Sequence, residues 1–225
     1  MISTEQINRT VALQKAANDI AKPDWLSNAP NYLRAAKMET VEAIDHLCSW
    51  KWWKANKPDY HNAAMEMVDA LHFIISEELV RFKGDMQAVT SLLVVHFNVP
   101  IDYKAIEAMS AEDANKVLDQ MDVDFSMGNI NYPRFFVACV FLGLKPKQLL
   151  IWYCGKNALN NFRQANGYKS GKYIKNWFGN EDNDYLIQII EALSDDEKDD
   201  GYQIIHERLS TKYQEALTFE KDRQA

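Results

Sequence analysis

Met65-Glu66-Met67-Val68-Asp69-Ala70-Leu71-His72-Phe73-Ile74-Ile75 is the stretch on which the fold turns. It is apolar almost throughout, yet two carboxylates interrupt it three residues apart. Met65, Val68, His72, Ile75 and Leu79 share one side of a helix, and Leu71 and Ile74 lie on another. A helix that is apolar on most sides is a buried one. An acid inside it needs a cation or hydrogen-bond partners, because an isolated buried carboxylate costs several kcal/mol. The stretch therefore predicts both a core helix and a charged site against it.

Working outward, the pattern stays helical. The core helix is expected over Tyr60–Phe82, after the turn signal Asn56-Lys57-Pro58-Asp59 and before Gly84. Upstream, a helix over Asn31–Leu47 follows a loop bracketed by Pro23 and Pro30. A first helix opens at a Ser3/Gln6 capping box and runs to Ala21, with Ile7, Val11, Gln14 and Asn18 on one face. Downstream, Tyr132 starts a helix that ends at Gly143. Pro146 opens the next at its first turn, and Asn166-Gly167 closes it after Ala165. Asp182–Leu193 and Ser194–Leu217 read as closing helices, the second with a Ser194/Glu197 capping box. No run alternates for long enough to suggest a strand. In residues 84–130 a helix over Gln87–Phe97, a break at Pro100, an acidic surface helix over Ser110–Met121 and a turn at Ser126–Asn131 are expected. The fold class is all-α: a helical bundle over residues 1–225, with 84–130 as a smaller inserted lobe.

The 225 residues carry a formal net charge of -7. A surface of that sign repels nucleic-acid backbones, so a nucleic-acid partner is not expected. A small polyphosphate remains compatible if metal cations bridge it to the protein. Cys48, Cys139 and Cys154 are scattered and odd in number, which argues against a disulfide framework or a structural zinc site. Met1–Asn18 is polar, and the longest apolar runs, such as Phe135–Leu144, are too short to span a bilayer. A cytoplasmic protein without a membrane partner is expected.

Three constellations carry chemistry. Glu39 and Glu42 stand three apart on the second helix, beside the small Ala35, Ala36 and Ala43, and Glu66 and Asp69 repeat that spacing on the third. Either pair alone is common on a solvated helix face; together on successive helices they favour a metal site. Hard oxygen ligands without a histidine or thiolate cluster select magnesium, with manganese as substitute. Di-iron chemistry is disfavoured because no Glu-x-x-His pair is present. The second set lies in Lys156–Lys175. Lys156, Asn160 and Arg163 share a helix face, and Tyr168 and Lys169 follow in a basic loop. Such donors suit phosphate oxygens, whereas a single lysine near a helix end only offsets the dipole. The third set is aromatic and amide-rich. Trp50-Lys51-Trp52-Trp53-Lys54 offers rings that can stack on a base, or core or interface anchors. Gln14 and Asn18 point amides inward, where they meet a pyrimidine edge or other buried groups.

Met38–Asp45, Trp50–Lys54, Glu66–Phe73 and Lys156–Lys169 occur in this order in the dimeric dUTPases, which this sequence resembles over about Gln14–Phe73 and Tyr132–Asn183. That family sits in the all-α nucleotide pyrophosphatase superfamily, with the MazG-like proteins and phage dCTPase-dUTPases. Glu-x-x-Glu with a later Glu-x-x-Asp marks only the superfamily; the tryptophan cluster and the Lys-Asn-x-Leu-Asn-x-Phe-Arg…Asn-Gly-Tyr segment are much more specific to the dUTPase branch. The resemblance implies hydrolysis of dUTP, and commonly dUDP, to dUMP by metal-activated water attack at the α-phosphorus. It assigns Glu39, Glu42, Glu66 and Asp69 to magnesium, with Glu42 chosen as the base. It assigns Gln14, Asn18, His72, Phe73 and one of Trp50 or Trp53 to the uracil and deoxyribose. Lys156, Asn160, Arg163, Tyr168 and Lys169 are assigned to the phosphates, and a homodimer is implied. Met38 stands where many superfamily members carry a further acid. Two other readings compete: a related pyrophosphatase acting on dCTP or a modified nucleotide, and a non-enzymatic helical scaffold.

Overall fold

The computed structural model describes residues 1–198 and 201–224. Among them the chain forms ten α-helices and one two-stranded hairpin. It divides into two compact units, Met1–Leu150 and Ile151–Ala225.

The first unit is built on α1 (Thr4–Ala21), α2 (Tyr32–Leu47) and α3 (Tyr60–Arg81). Each start is fixed by a side chain that satisfies an otherwise orphaned backbone N–H. Ser3 and Gln6 close the expected capping box on α1, Asn31 caps α2 at Arg34 and Asp59 caps α3 at Asn62. Helix α3 is buried along nearly its whole length, from Ala63 to Leu79, as its sequence requires. Helix α2 packs along it, and the small Ala36, Thr40 and Ala43 are among its buried residues.

Residues 84–130 hold α4 (Met86–Phe97), α5 (Tyr103–Glu107) and α6 (Ala111–Ser126), and α7 (Tyr132–Phe141) follows. Helix α4 packs on α1. Helix α6 is acidic on its outer side, as expected, but turns Ala114, Leu118, Met121 and Phe125 inward, and it packs on α2 and α7. Its apolar stripe carries it one turn beyond the expected end.

The second unit takes in most of α8 (Pro146–Ala165), then a hairpin of β1 (Asn176–Trp177) and β2 (Asn180–Glu181), α9 (Asp182–Glu191) and α10 (Gly201–Gln224). Its core is aromatic: Phe162 meets Tyr173, Trp177, His206 and Tyr213 edge-on, and Tyr173 stacks on Tyr213. Gly155 lets α8 approach closely, since a Cβ there would fall 2.7 Å from Ile190 Cδ1.

Two expectations are corrected here. The hairpin went unforeseen; its turn residues Phe178 and Gly179 both have positive φ, the geometry of a tight two-residue connection. The last helix is described from Gly201, and it does not start at Ser194. Ser194 and Glu197 do exchange their capping-box hydrogen bonds, but residues 195–198 form a turn and not a helix. Residues 199 and 200 of the expected span lie outside the described ones. Among the described residues no single helix is long and apolar enough to cross a membrane.

Candidate functional site

Close packing of α2 on α3 sets two acid pairs side by side. Carboxylate oxygens of Glu39, Glu42 and Glu66 all lie within 4.8 Å of one another. Glu39 and Glu66 are half-buried while Glu42 is exposed. Asp69, also half-buried, completes the set electrostatically. Burial first, and then the charges of Asp69, Glu66 and Glu42, push the Glu39 carboxyl up to about 8. Like charges this close disfavour full ionisation. The all-oxygen donor set of the cluster fits a hard divalent cation such as magnesium.

Gln14, Asn18 and His72 also come together. Gln14 Oε1 lies 2.7 Å from His72 Nδ1, and Gln14 Nε2 donates to Ser76 Oγ at 2.8 Å and to Asn18 Oδ1 at 2.9 Å. Ser76 donates to the His72 carbonyl at 2.9 Å. All four residues are buried. The network joins α1 to α3, and the amide edge of Gln14 is bonded within it. Ser76 was missed because a serine on an apolar helix signals nothing by itself. Gln14→Ala is expected to cost about 1–3 kcal/mol of stability, because buried partners lose their hydrogen bonds; thermal unfolding of the variant checks this.

The tryptophans are surface residues, not core. Trp50, Trp52 and Trp53 are 49%, 88% and 59% exposed on the loop between α2 and α3. Trp53 meets both of the others edge-on. Trp50 Nε1 donates to Asp45 Oδ1 at 3.0 Å, and Lys51 pairs with the same oxygen at 2.6 Å. Phe73 is half-buried on α3.

In the second unit Lys156, Asn160 and Arg163 do share one face of α8. Lys156 and Arg163 are buried rather than solvated. Arg163 makes a bidentate pair with Asp182, Nε to Oδ2 at 2.8 Å and Nη2 to Oδ1 at 2.6 Å, and Nη1 donates to Asn160 Oδ1 at 3.2 Å. Asn183 Oδ1 accepts from Lys156 Nζ at 3.0 Å and from Arg163 Nη2 at 3.3 Å. Tyr173 donates to Asp182 Oδ2 at 2.8 Å. Sequence reasoning missed Asp182, since an acid in a first helical turn ordinarily complements the dipole, and Asn183 beside it, since a lone asparagine at a helix start carries no signal of its own. Tyr168 and Lys169 are exposed in a 3₁₀ turn, Tyr168–Ser170.

Comparison with known proteins identifies the family. No curated protein matches the chain at a significant level. The sequence profile of the dUTPase family matches residues 6–168, a span that takes in both acid pairs, the tryptophan loop and the basic segment through Tyr168. The chain belongs to that family, the all-α dUTPases, which are nucleoside triphosphate pyrophosphohydrolases.

Proposed function

We propose that this protein hydrolyses dUTP to dUMP and pyrophosphate, with magnesium held by Glu39, Glu42, Glu66 and Asp69. The observation that carries the reading is the meeting of the α2 and α3 carboxylates within 4.8 Å, in a chain that the dUTPase profile covers over residues 6–168. A bound divalent ion would offset polyphosphate charge and make water a better nucleophile at neutral pH. The remaining work belongs to side chains. Glu42, the solvent-facing member of the cluster, is assigned the proton of the attacking water. Exposed Trp50 or Trp53 stacks on the uracil ring, with Phe73 beside the sugar. Lys156, Asn160, Arg163, Tyr168 and Lys169 supply donors for phosphate oxygens, and Asp182 and Asn183 hold two of them in place. Positioning and charge carry most of the rate in phosphoryl chemistry. dUDP, which would give dUMP and phosphate, is a second substrate under the same reading. A homodimer and a cytoplasmic setting complete the proposal.

A second reading is favoured by one observation: both ends of the Gln14 amide are bonded inside the protein. A pyrimidine edge would then be read elsewhere, and dCTP or a modified nucleotide becomes a candidate. The test is release of pyrophosphate from each deoxynucleoside triphosphate with magnesium. Strong selectivity for dUTP, lost with a chelator, is the expected result. Equal or better turnover of dCTP supports the second reading, and no turnover of any nucleotide overturns both.

A further inference from the structure

His46 lies in the last turn of α2, one residue past Asp45 and outside every residue set named above. Its Nε2 is 3.2 Å from Oε1 of Glu66. A carboxylate bound to a cation is ionised and only accepts, so the ring would then donate from Nε2. The backbone of the same residue does a second job. The His46 carbonyl accepts the Asp59 N–H at 2.9 Å, tying the C-terminal end of α2 to the N-cap of α3. Those two points are the base of the tryptophan loop. Asp45, next in the chain, holds that loop through Trp50 Nε1 and Lys51 Nζ. One turn of α2 therefore anchors both the aromatic loop and a carboxylate of the acid cluster.

Resting on the metal reading above, we propose that His46 is a positioning residue that fixes the orientation of the Glu66 carboxylate toward the cation and so sets the magnesium affinity of the site. The physical ground is that a carboxylate on a flexible side chain loses rotamer freedom on binding a cation. A neighbour that holds it beforehand removes that cost. Groups that hydrogen-bond a metal ligand from behind typically change metal affinity by about 10–100-fold when removed. Glu66 is well suited to such control: its side chain is 12% exposed, and it shares the cluster with two other carboxylates.

The test compares wild type, His46→Ala and His46→Gln. Two quantities are measured: the magnesium concentration for half-maximal dUTP turnover, and the magnesium-dependent rise in Tm without nucleotide. A cation that binds only the folded state must raise Tm. His46→Ala is expected to need about ten-fold more magnesium or beyond by both measures, with a smaller change in kcat at saturating metal. His46→Gln, whose amide N–H reaches a comparable position, is expected to recover most of the loss. A merely structural histidine would lower the metal-free Tm and leave the magnesium requirement unmoved. The proposal is overturned if His46→Ala keeps the wild-type magnesium requirement, or if His46→Gln folds and is no better than His46→Ala. Should His46→Ala not fold, His46→Gln against wild type decides: a near-wild-type requirement supports the assignment, and an alanine-like loss of ten-fold or more overturns it. Wild type without any magnesium response would sink the metal reading instead, which separates the two failures.

Discussion

Glu39→Gln is expected to abolish magnesium-dependent dUTP hydrolysis, by about a thousand-fold or more, equivalent to roughly 4 kcal/mol of transition-state stabilisation. The same substitution is expected to stabilise the metal-free protein. Burial and three neighbouring carboxylates push Glu39 up to about 8, against an ordinary value of 4.5. A carboxyl whose pKa is raised on folding contributes its full stability below the unfolded value and loses it as pH rises through the folded one. In chelator, the wild type should therefore weaken from about pH 4.5 to about pH 8 and level off above. Glutamine cannot ionise, so the variant escapes that loss. Its Tm advantage should grow across the same window. Magnesium reverses the order, because only the wild type gains from the cation. Thermal scans with and without chelator over this pH range, beside an activity assay, check the whole prediction. A variant that turns over dUTP normally would remove Glu39 from the metal site.

The second large effect is on folding. Asp182→Ala is expected to cost about 3–5 kcal/mol, because the buried Arg163 guanidinium loses its bidentate partner. Asp182 itself is fully buried. Tyr173 loses its acceptor too; burial, and then the Asp182 charge, hold that phenol well above its ordinary pKa. The double change Arg163→Met with Asp182→Leu should recover much of the loss, since apolar groups of similar volume often replace a buried ion pair at little cost. Urea or thermal unfolding of the two variants beside the wild type separates the outcomes. A double variant no more stable than Asp182→Ala would show that Asn160, Asn183 and Tyr173 matter more than the pair.

The helices were legible because their ends are written locally. Ser3, Asn31 and Asp59 each supply an acceptor for an orphaned N–H of a helix start, and Pro146 has no N–H to satisfy. The same rule misled at Ser194. A capping box closes its hydrogen bonds within four residues, so it forms on a turn as readily as on a helix. The hairpin was illegible because two residues per strand leave no alternation to see. Within the candidate site, the acid pairs were visible because three-residue spacing fixes a shared helix face. Asp182, Ser76 and His46 were not, because their importance comes from partners 19, 62 and 20 residues away. The tryptophans show the limit from the other side. Their composition suggested stacking or anchoring, but only the fold shows that all three stand in solvent.

That arrangement has an optical consequence. Of the six tryptophans, Trp25, Trp152 and Trp177 are buried, and the other three share one short loop. Indoles in water emit at longer wavelength than indoles in a protein interior, so the red edge of the emission spectrum belongs to Trp50, Trp52 and Trp53. Iodide should quench that edge and leave the blue side largely intact. A nucleotide that stacks on the loop would shield the same rings, and the red edge would dim and lose its sensitivity to iodide. Equilibrium binding of dUMP, which is not turned over, could then be followed from intrinsic light alone, without label.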